Sequence, residues 1–170
     1  MAQIISSFLN RFFSPEFVIF LVSLLPILEL RGGMIAGALF NIPWHIALVI
    51  AVVGNILPVY FVITSLEGML KRMKGIGPLS GAADWIENKG AKQGALLAKE
   101  YPKQLYIGLM MFVAVPLPGT GAWTGALIAS FLGLDPKKSG IFICLGIFIA
   151  GILMSVIAYV IPMLLKQVIY

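Results

Sequence analysis

The most apolar stretches of this chain are interrupted at their midpoints by residues that break helices or carry charge. Residues 17–40 read FVIFLVSLLPILELRGGMIAGALF, and residues 105–133 read LYIGLMMFVAVPLPGTGAWTGALIASFLG. The first block has Pro26, Glu29, Arg31, Gly32 and Gly33 at its centre; the second has Pro116, Pro118, Gly119 and Gly121. VPLPGTG cannot be continuous helix, because its prolines remove backbone donors and its glycines favour turns. Each half-block holds about ten apolar residues, or about 15 Å of helix, half the thickness of a bilayer core. Broken backbone at that depth survives only where protein or a water-filled cavity satisfies its polar groups. Re-entrant hairpins and broken single spans both fit this length. The re-entrant hairpin is the preferred expectation, with Pro26, Pro116 and Pro118 as the structural breaks.

Composition shows why a bilayer is the relevant solvent. Of 170 residues, 60% are hydrophobic and 11% charged, against about 25% charged in a soluble domain. Too little charge is left to cover a water-facing surface. Residues 45–64 and 139–165 read as uninterrupted spans, with Gly54, Pro58 and Pro162 as tolerated bends. The length fits one membrane domain, 1–170, and leaves no room for a separate catalytic domain. Met1–Phe13 lacks the long apolar core and cleavage site of a secretory signal, so residues 1–16 are expected to form an interfacial helix.

The two halves resemble each other. An ungapped shift of 92 places Phe20, Leu25, Pro26, Gly33 and Gly54 on Phe112, Leu117, Pro118, Gly125 and Gly146. The expected fold is all-α and integral to the membrane: repeat 1 (17–64) and repeat 2 (105–165), each a re-entrant helical hairpin plus a transmembrane helix. With one crossing per repeat, the second repeat is inverted. A polar loop, 65–104, joins them and carries Lys71, Arg72, Lys74, Lys89, Lys92, Lys99 and Lys103, while Lys137 and Lys138 fall on the same side. The positive-inside rule places that loop in the cytoplasm; a four-span arrangement satisfies the rule as well. LEGMLKRMK and AADWIENKGAKQGALLAKEY, separated by GIGPLSG, read as two short amphipathic helices at the interface. The net charge of +5 is therefore assigned to lipid headgroups and topology, not to nucleic acid.

Glu29 and Arg31 are the sharpest candidates for function. An ionisable group at the bilayer centre costs at least about 2.5–3.5 kcal/mol on insertion scales and marks a polar pathway by default. Glu29 suits proton coupling; Arg31 could hold it ionised or bind an anionic group. Substrate contacts are expected from Gly32, Gly33, Asn55, Pro118, Gly119, Thr120, Gly121 and Trp123, since the ends of broken helices offer free backbone donors. For Asn55 a structural hydrogen bond across the helix interface is the stronger reading, and for Trp123 an interfacial anchor. His45, the lone histidine, and Cys144, the lone cysteine, can build neither a multi-histidine nor a CxxC metal site. No HExxH, GxSxG or phosphate-loop motif is present. No metal, cofactor or enzymatic activity is expected.

At LLPILELRGGMIAG and VAVPLPGTGAWTGALIASFLGL the chain resembles a family of small multidrug export proteins. More broadly it is similar to the DedA superfamily, whose members are thought to place two re-entrant hairpins tip to tip. The resemblance implies a membrane exporter of a small or lipophilic substrate in a prokaryotic cytoplasmic (inner) membrane. Glu29 would match the acidic residue of the first hairpin and Arg31 a hairpin arginine. The DedA likeness implies an alternative, translocation of an anionic lipid of the polyprenyl-phosphate class. Trp123 stands where that pattern places a second-hairpin arginine, which departs from phosphate recognition. A non-transporting membrane scaffold is the third reading. So small a protein covers two hairpin tips poorly, so a homodimer or larger homo-oligomer is expected.

Overall fold

The computed structural model describes residues 14–101, 104–117 and 119–164, the side chain of Glu67 excepted. The interfacial helix expected over 1–16 therefore lies largely outside the described residues, as does Pro118. All regular structure among the described residues is helical: α1 (Pro15–Leu24), α2 (Glu29–Leu39), α3 (Trp44–Lys74), α4 (Gly77–Glu100), α5 (Leu105–Ala114), α6 (Ala122–Phe131) and α7 (Pro136–Ser155), which runs on into a π-helical turn, Val156–Val160. The chain divides into two units, Met1–Leu57 with Ile147–Tyr170, and Pro58–Gly146.

In the first unit, α1 begins where the Ser14 side chain accepts the Phe17 N–H and Pro15 occupies the first turn. It ends at Leu25, held extended (φ −73°, ψ 133°) as the residue before Pro26 must be. A four-residue turn returns the chain as α2, which packs along α1. The seam is made by glycine. A Cβ on Gly33 would overlap the Ser23 hydroxyl and lie 3.3 Å from the Ile19 carbonyl oxygen. A Cβ on Gly54 of α3 would lie 2.8 Å from the Phe20 carbonyl oxygen. Such close backbone approach replaces the hydrophobic drive that lipid cannot supply between helices.

In the second unit α6 is central, with Ala122 and every residue from Thr124 to Ala129 buried. Gly125 receives Val113 and Leu109 of α5, and Gly146 of α7 sits 2.7 Å, measured to a built Cβ, from the Met110 carbonyl oxygen. The buried stripe of α4, Ala83, Gly90, Gly94 and Leu97, takes the Phe131 ring on Gly90 and Leu132 on Gly94.

One helix-ending corner recurs 92 residues along. After α2, Asn41 adopts φ 56° and Ile42 N–H bonds Gly37 O at 2.9 Å; after α6, Gly133 adopts φ 61° and Leu134 N–H bonds Ala129 O at 2.9 Å. Both are six-to-one helix terminations with a left-handed residue. The first arms follow a different offset. Ile19 and Ser23 meet Gly33 as Leu109 and Val113 meet Gly125, a shift of 90. The ungapped alignment of Phe20, Leu25 and Pro26 with Phe112, Leu117 and Pro118 is thus corrected by two residues. The second turn, 115–121, is the longer one, and an ungapped shift cannot absorb that.

The segment 65–104 is more helical than expected. The span does not stop at Thr64: α3 continues to Lys74, and α4 starts at Gly77, so the break is Gly75–Ile76 and not all of GIGPLSG. Pro78 falls in the first turn of α4, where its missing N–H costs nothing. Lys74 Nζ bonds Glu87 Oε2 at 2.7 Å and lies 3.7 Å from Asp84 Oδ1, tying α4 to the end of α3.

Two helices, Trp44–Leu66 and Pro136–Leu164, are long and apolar enough to cross a membrane. On the outer face of α3, Val49, Val53 and Leu57 are 52–63% exposed. A helix apolar on its exposed face as well as its packed face suits lipid.

Two outcomes test this packing. Gly33→Ala should lower stability in detergent by about 1–3 kcal/mol, with Ser23→Ala restoring much of the loss, whereas Gly81→Ala, where nothing lies within 4 Å, should raise it by about 0.4–1 kcal/mol. Reversible unfolding in mixed micelles reads both. The Lys74 ammonium is raised above its ordinary value of 10.5, chiefly by its bond to Glu87. A raised folded-state pKa stabilises fully below the unfolded value and less as pH climbs through the folded one. The α3–α4 corner should therefore exchange amide hydrogens faster above pH 10.5 relative to a Lys74→Met variant, after correction for intrinsic exchange.

Candidate functional site

The first hairpin turn, Leu25–Leu28, is closed by Glu29 N–H to Leu25 O at 2.9 Å and Gly32 N–H to Leu28 O at 2.8 Å. To close it, Glu29 takes a left-handed backbone, φ 51°. For a long side chain this costs on the order of 1–3 kcal/mol and persists only where surroundings impose it. The carboxylate-bearing residue is nonetheless buried, 5% exposed. Arg31, half-buried two residues on, lies within electrostatic reach of it. The charge pair that the sequence singles out is thus held at the mouth of α2, on the most strained residue of the turn.

Gly32 and Gly33 play a packing part. A Cβ on Gly32 would press Leu28 and Val22 at 2.7 and 2.9 Å, and Gly33 is covered by Ser23. Asn55, 2% exposed on α3, belongs to the same unit as Glu29, Arg31, Gly32 and Gly33. Its Oδ1 accepts no hydrogen bond.

The second turn belongs to the other unit. Val115 N–H bonds Met111 O at 3.1 Å, Leu117 N–H bonds Val115 O at 2.9 Å across Pro116, and Thr120 N–H reaches Leu117 O at 3.3 Å. The Thr120 hydroxyl stands 2.8 Å from both the Val115 and Leu117 carbonyl oxygens, so its proton is shared within the turn. Gly119 (φ 85°) and Gly121 (φ 132°) take conformations that only glycine adopts readily. Gly121 O then accepts the Gly125 N–H at 2.8 Å, starting α6, on which Trp123 is half-buried. Thr120 therefore substitutes for the turn's missing backbone donors.

Three polar side chains escaped the sequence reading. Ser23, fully buried, donates to Ile19 O at 2.8 Å beneath Gly33 and Gly54. Tyr159, on the π-helical turn, brings its hydroxyl to 2.6 Å from a Cβ built on Gly37, and that oxygen has no hydrogen-bond partner. Ser139 is buried on α7, its hydroxyl also without a partner. Ser23 and Tyr159 are lone polar residues in apolar runs, the only signal available for them, whereas Ser139 directly follows Lys137 and Lys138 at the edge of a polar segment. Among the described residues no group of three or more His, Cys, Asp or Glu could hold a metal ion.

With that geometry in place, the comparisons are specific in one respect. Residues 29–153 match the family described as "Putative small multi-drug export protein". The chain belongs to this family. The match opens on Glu29 and takes in both long apolar helices almost entirely, so the family's shared region includes α2, the second hairpin and the helices that carry them. No curated protein and no solved structure matches the chain.

Replacing Thr120 separates its structural duty from any other. Thr120→Val should cost about 1–3 kcal/mol, since two carbonyls lose their donor, while Thr120→Ser should be close to neutral; thermal unfolding in micelles distinguishes the two.

Proposed function

We propose that this protein is an integral membrane exporter of a small or lipophilic substrate, coupled to protons through Glu29. The carrying observation is a buried carboxyl residue on a left-handed backbone at a helix break, beside Arg31. A buried carboxyl group that gains and loses a proton changes the charge of its surroundings, and a coupling site requires that change. Family membership supports export and does not name a substrate. Substrate contacts are assigned to Gly119, Thr120, Gly121 and Trp123 at the second turn; Pro118 completes that turn in sequence.

The architecture proposed is two repeats, each a re-entrant hairpin and a span, in inverted topology across the cytoplasmic membrane of a prokaryote, with residues 65–104 in the cytoplasm. The recurring corner at Asn41 and Gly133, and the matched seats of Gly33 and Gly125, support the repeat. Repeats with interrupted helices at corresponding positions are the pattern from which transporter sites are built. The functional unit is proposed to be a homo-oligomer. A translocase of anionic lipids is the weaker reading, because no basic residue follows the second turn where Trp123 stands.

The test uses purified protein in proteoliposomes carrying an imposed pH gradient. Efflux of a lipophilic cation should depend on the gradient and fall at least tenfold in Glu29→Gln. A Glu29→Gln variant that matches the parent in rate and pH dependence would sink the proposal.

A further inference from the structure

The α2–α3 interface is a regular ladder. A Cβ on Gly37 would meet the Ala47 Cβ at 2.6 Å, and one on Gly33 would meet the Ala51 Cβ at 3.2 Å. Each rung steps four residues back along α2 and four forward along α3, as side chains on one helix face do. The same four-residue step carries the series on to Glu29 and Asn55. Both are buried, at 5% and 2% exposure, and the Asn55 amide oxygen accepts no hydrogen bond. A buried amide oxygen without a donor needs an explanation, and an unseen proton is one.

We infer that Glu29 and Asn55 together form a single-proton binding site, the protonated carboxyl donating to the Asn55 amide oxygen. This rests on the reading of Glu29 as the proton carrier and adds the group that receives the proton's hydrogen bond. The chemistry is balanced by one equilibrium: carboxylate plus a proton gives carboxylic acid, and nothing else is consumed. A carboxylic acid and a primary amide offer each other one donor and one acceptor, so the protonated pair can close two hydrogen bonds. The ionised carboxylate has no donor for the amide oxygen and leaves it orphaned. Their three side-chain oxygens fall short of the six or so ligands that a hard divalent cation takes, whereas a proton needs only two.

The other titratable side chains among the described residues of this unit are Arg31 on α2, Glu16 on α1, His45 on α3 and Tyr159 on the π-helical turn. Glu16 and His45 are exposed near the far ends of their helices, and Tyr159 packs at the Gly37 rung, two rungs away. Among these, Arg31 is the charge within electrostatic reach of Glu29. At the shift of 92, Glu29 and Asn55 correspond to Gly121 and Ile147, neither of which can bind a proton. The site is therefore confined to the first half of the chain.

Infrared difference spectroscopy of the full chain in lipid nanodiscs, titrated across pH, tests the pair directly. The expected result is a protonated-carboxyl carbonyl band that is absent in Glu29→Gln. In Asn55→Leu the band should move to the frequency of a carboxyl lacking that hydrogen bond, and its midpoint should shift by about one pH unit, a tenfold change in proton affinity. Thermal unfolding confirms that the variant is folded; Asn55→Val serves if Asn55→Leu is not. A folded Asn55 variant with unchanged band and midpoint would overturn the inference, as would the lack of any Glu29-dependent band. Proton-driven efflux measured on the same proteins keeps the two claims apart. An Asn55-sensitive band without proton-linked efflux removes the exporter reading and leaves the pair. Proton-linked efflux with a band indifferent to Asn55 removes the pair and leaves the exporter.

Discussion

A helix of ten residues reaches about 15 Å, and the first arms of both hairpins, α1 and α5, have that length. In the proposed re-entrant arrangement such arms would stop near mid-membrane, with carbonyls and amides that lipid cannot satisfy. The rest of the structure is organised around that constraint. The first turn answers it by bending back on itself through the Glu29 and Gly32 amides; the second answers it with the Thr120 hydroxyl and two left-handed glycines. Long helices then brace each hairpin through glycine seats at Gly54 and Gly146, where backbone touches backbone. Packing of this kind tolerates no added atoms, and so it positions the turns firmly.

The same constraint explains why charge and strain coincide. A carboxyl group buried at a helix break is expensive, and a left-handed long-chain residue adds to the cost. Both fall on Glu29, within a hairpin whose other residues pack economically. Strain of this sort is a reservoir that a functional site can use, and under the proposed coupling role protonation of Glu29 would change the balance that holds the turn.

Much of this was legible in the sequence. Pro26, Pro116 and the glycines around them mark the turns, and the two long apolar runs mark the spans, because proline chemistry and helix length act locally. Gly33, Gly54 and Gly125 stood out in the sequence as a substrate contact, a bend and a repeat position, without their packing partners. Other features depend on three-dimensional register. The two-residue slip between the first arms comes from unequal turns, which an ungapped alignment cannot register. The start of α4 at Gly77 was masked by Gly and Pro in GIGPLSG, which lie at a helix start as readily as in a loop. Ser23 and Tyr159 read as incidental polar residues until packing placed one under two glycines and the other against Gly37.

Sidedness of the hairpins is the most direct test of the account. In a Cys144→Ala background, single cysteines at the exposed positions Glu16, Pro43, Gly81 and Asp135 would be labelled with a membrane-impermeant thiol reagent, from outside and then from inside the vesicle. Re-entrant hairpins predict that Glu16 and Pro43 react from one face and Gly81 and Asp135 from the other. Labelling of Glu16 and Pro43 from opposite faces would show that the first hairpin is a broken span, and would contradict the account.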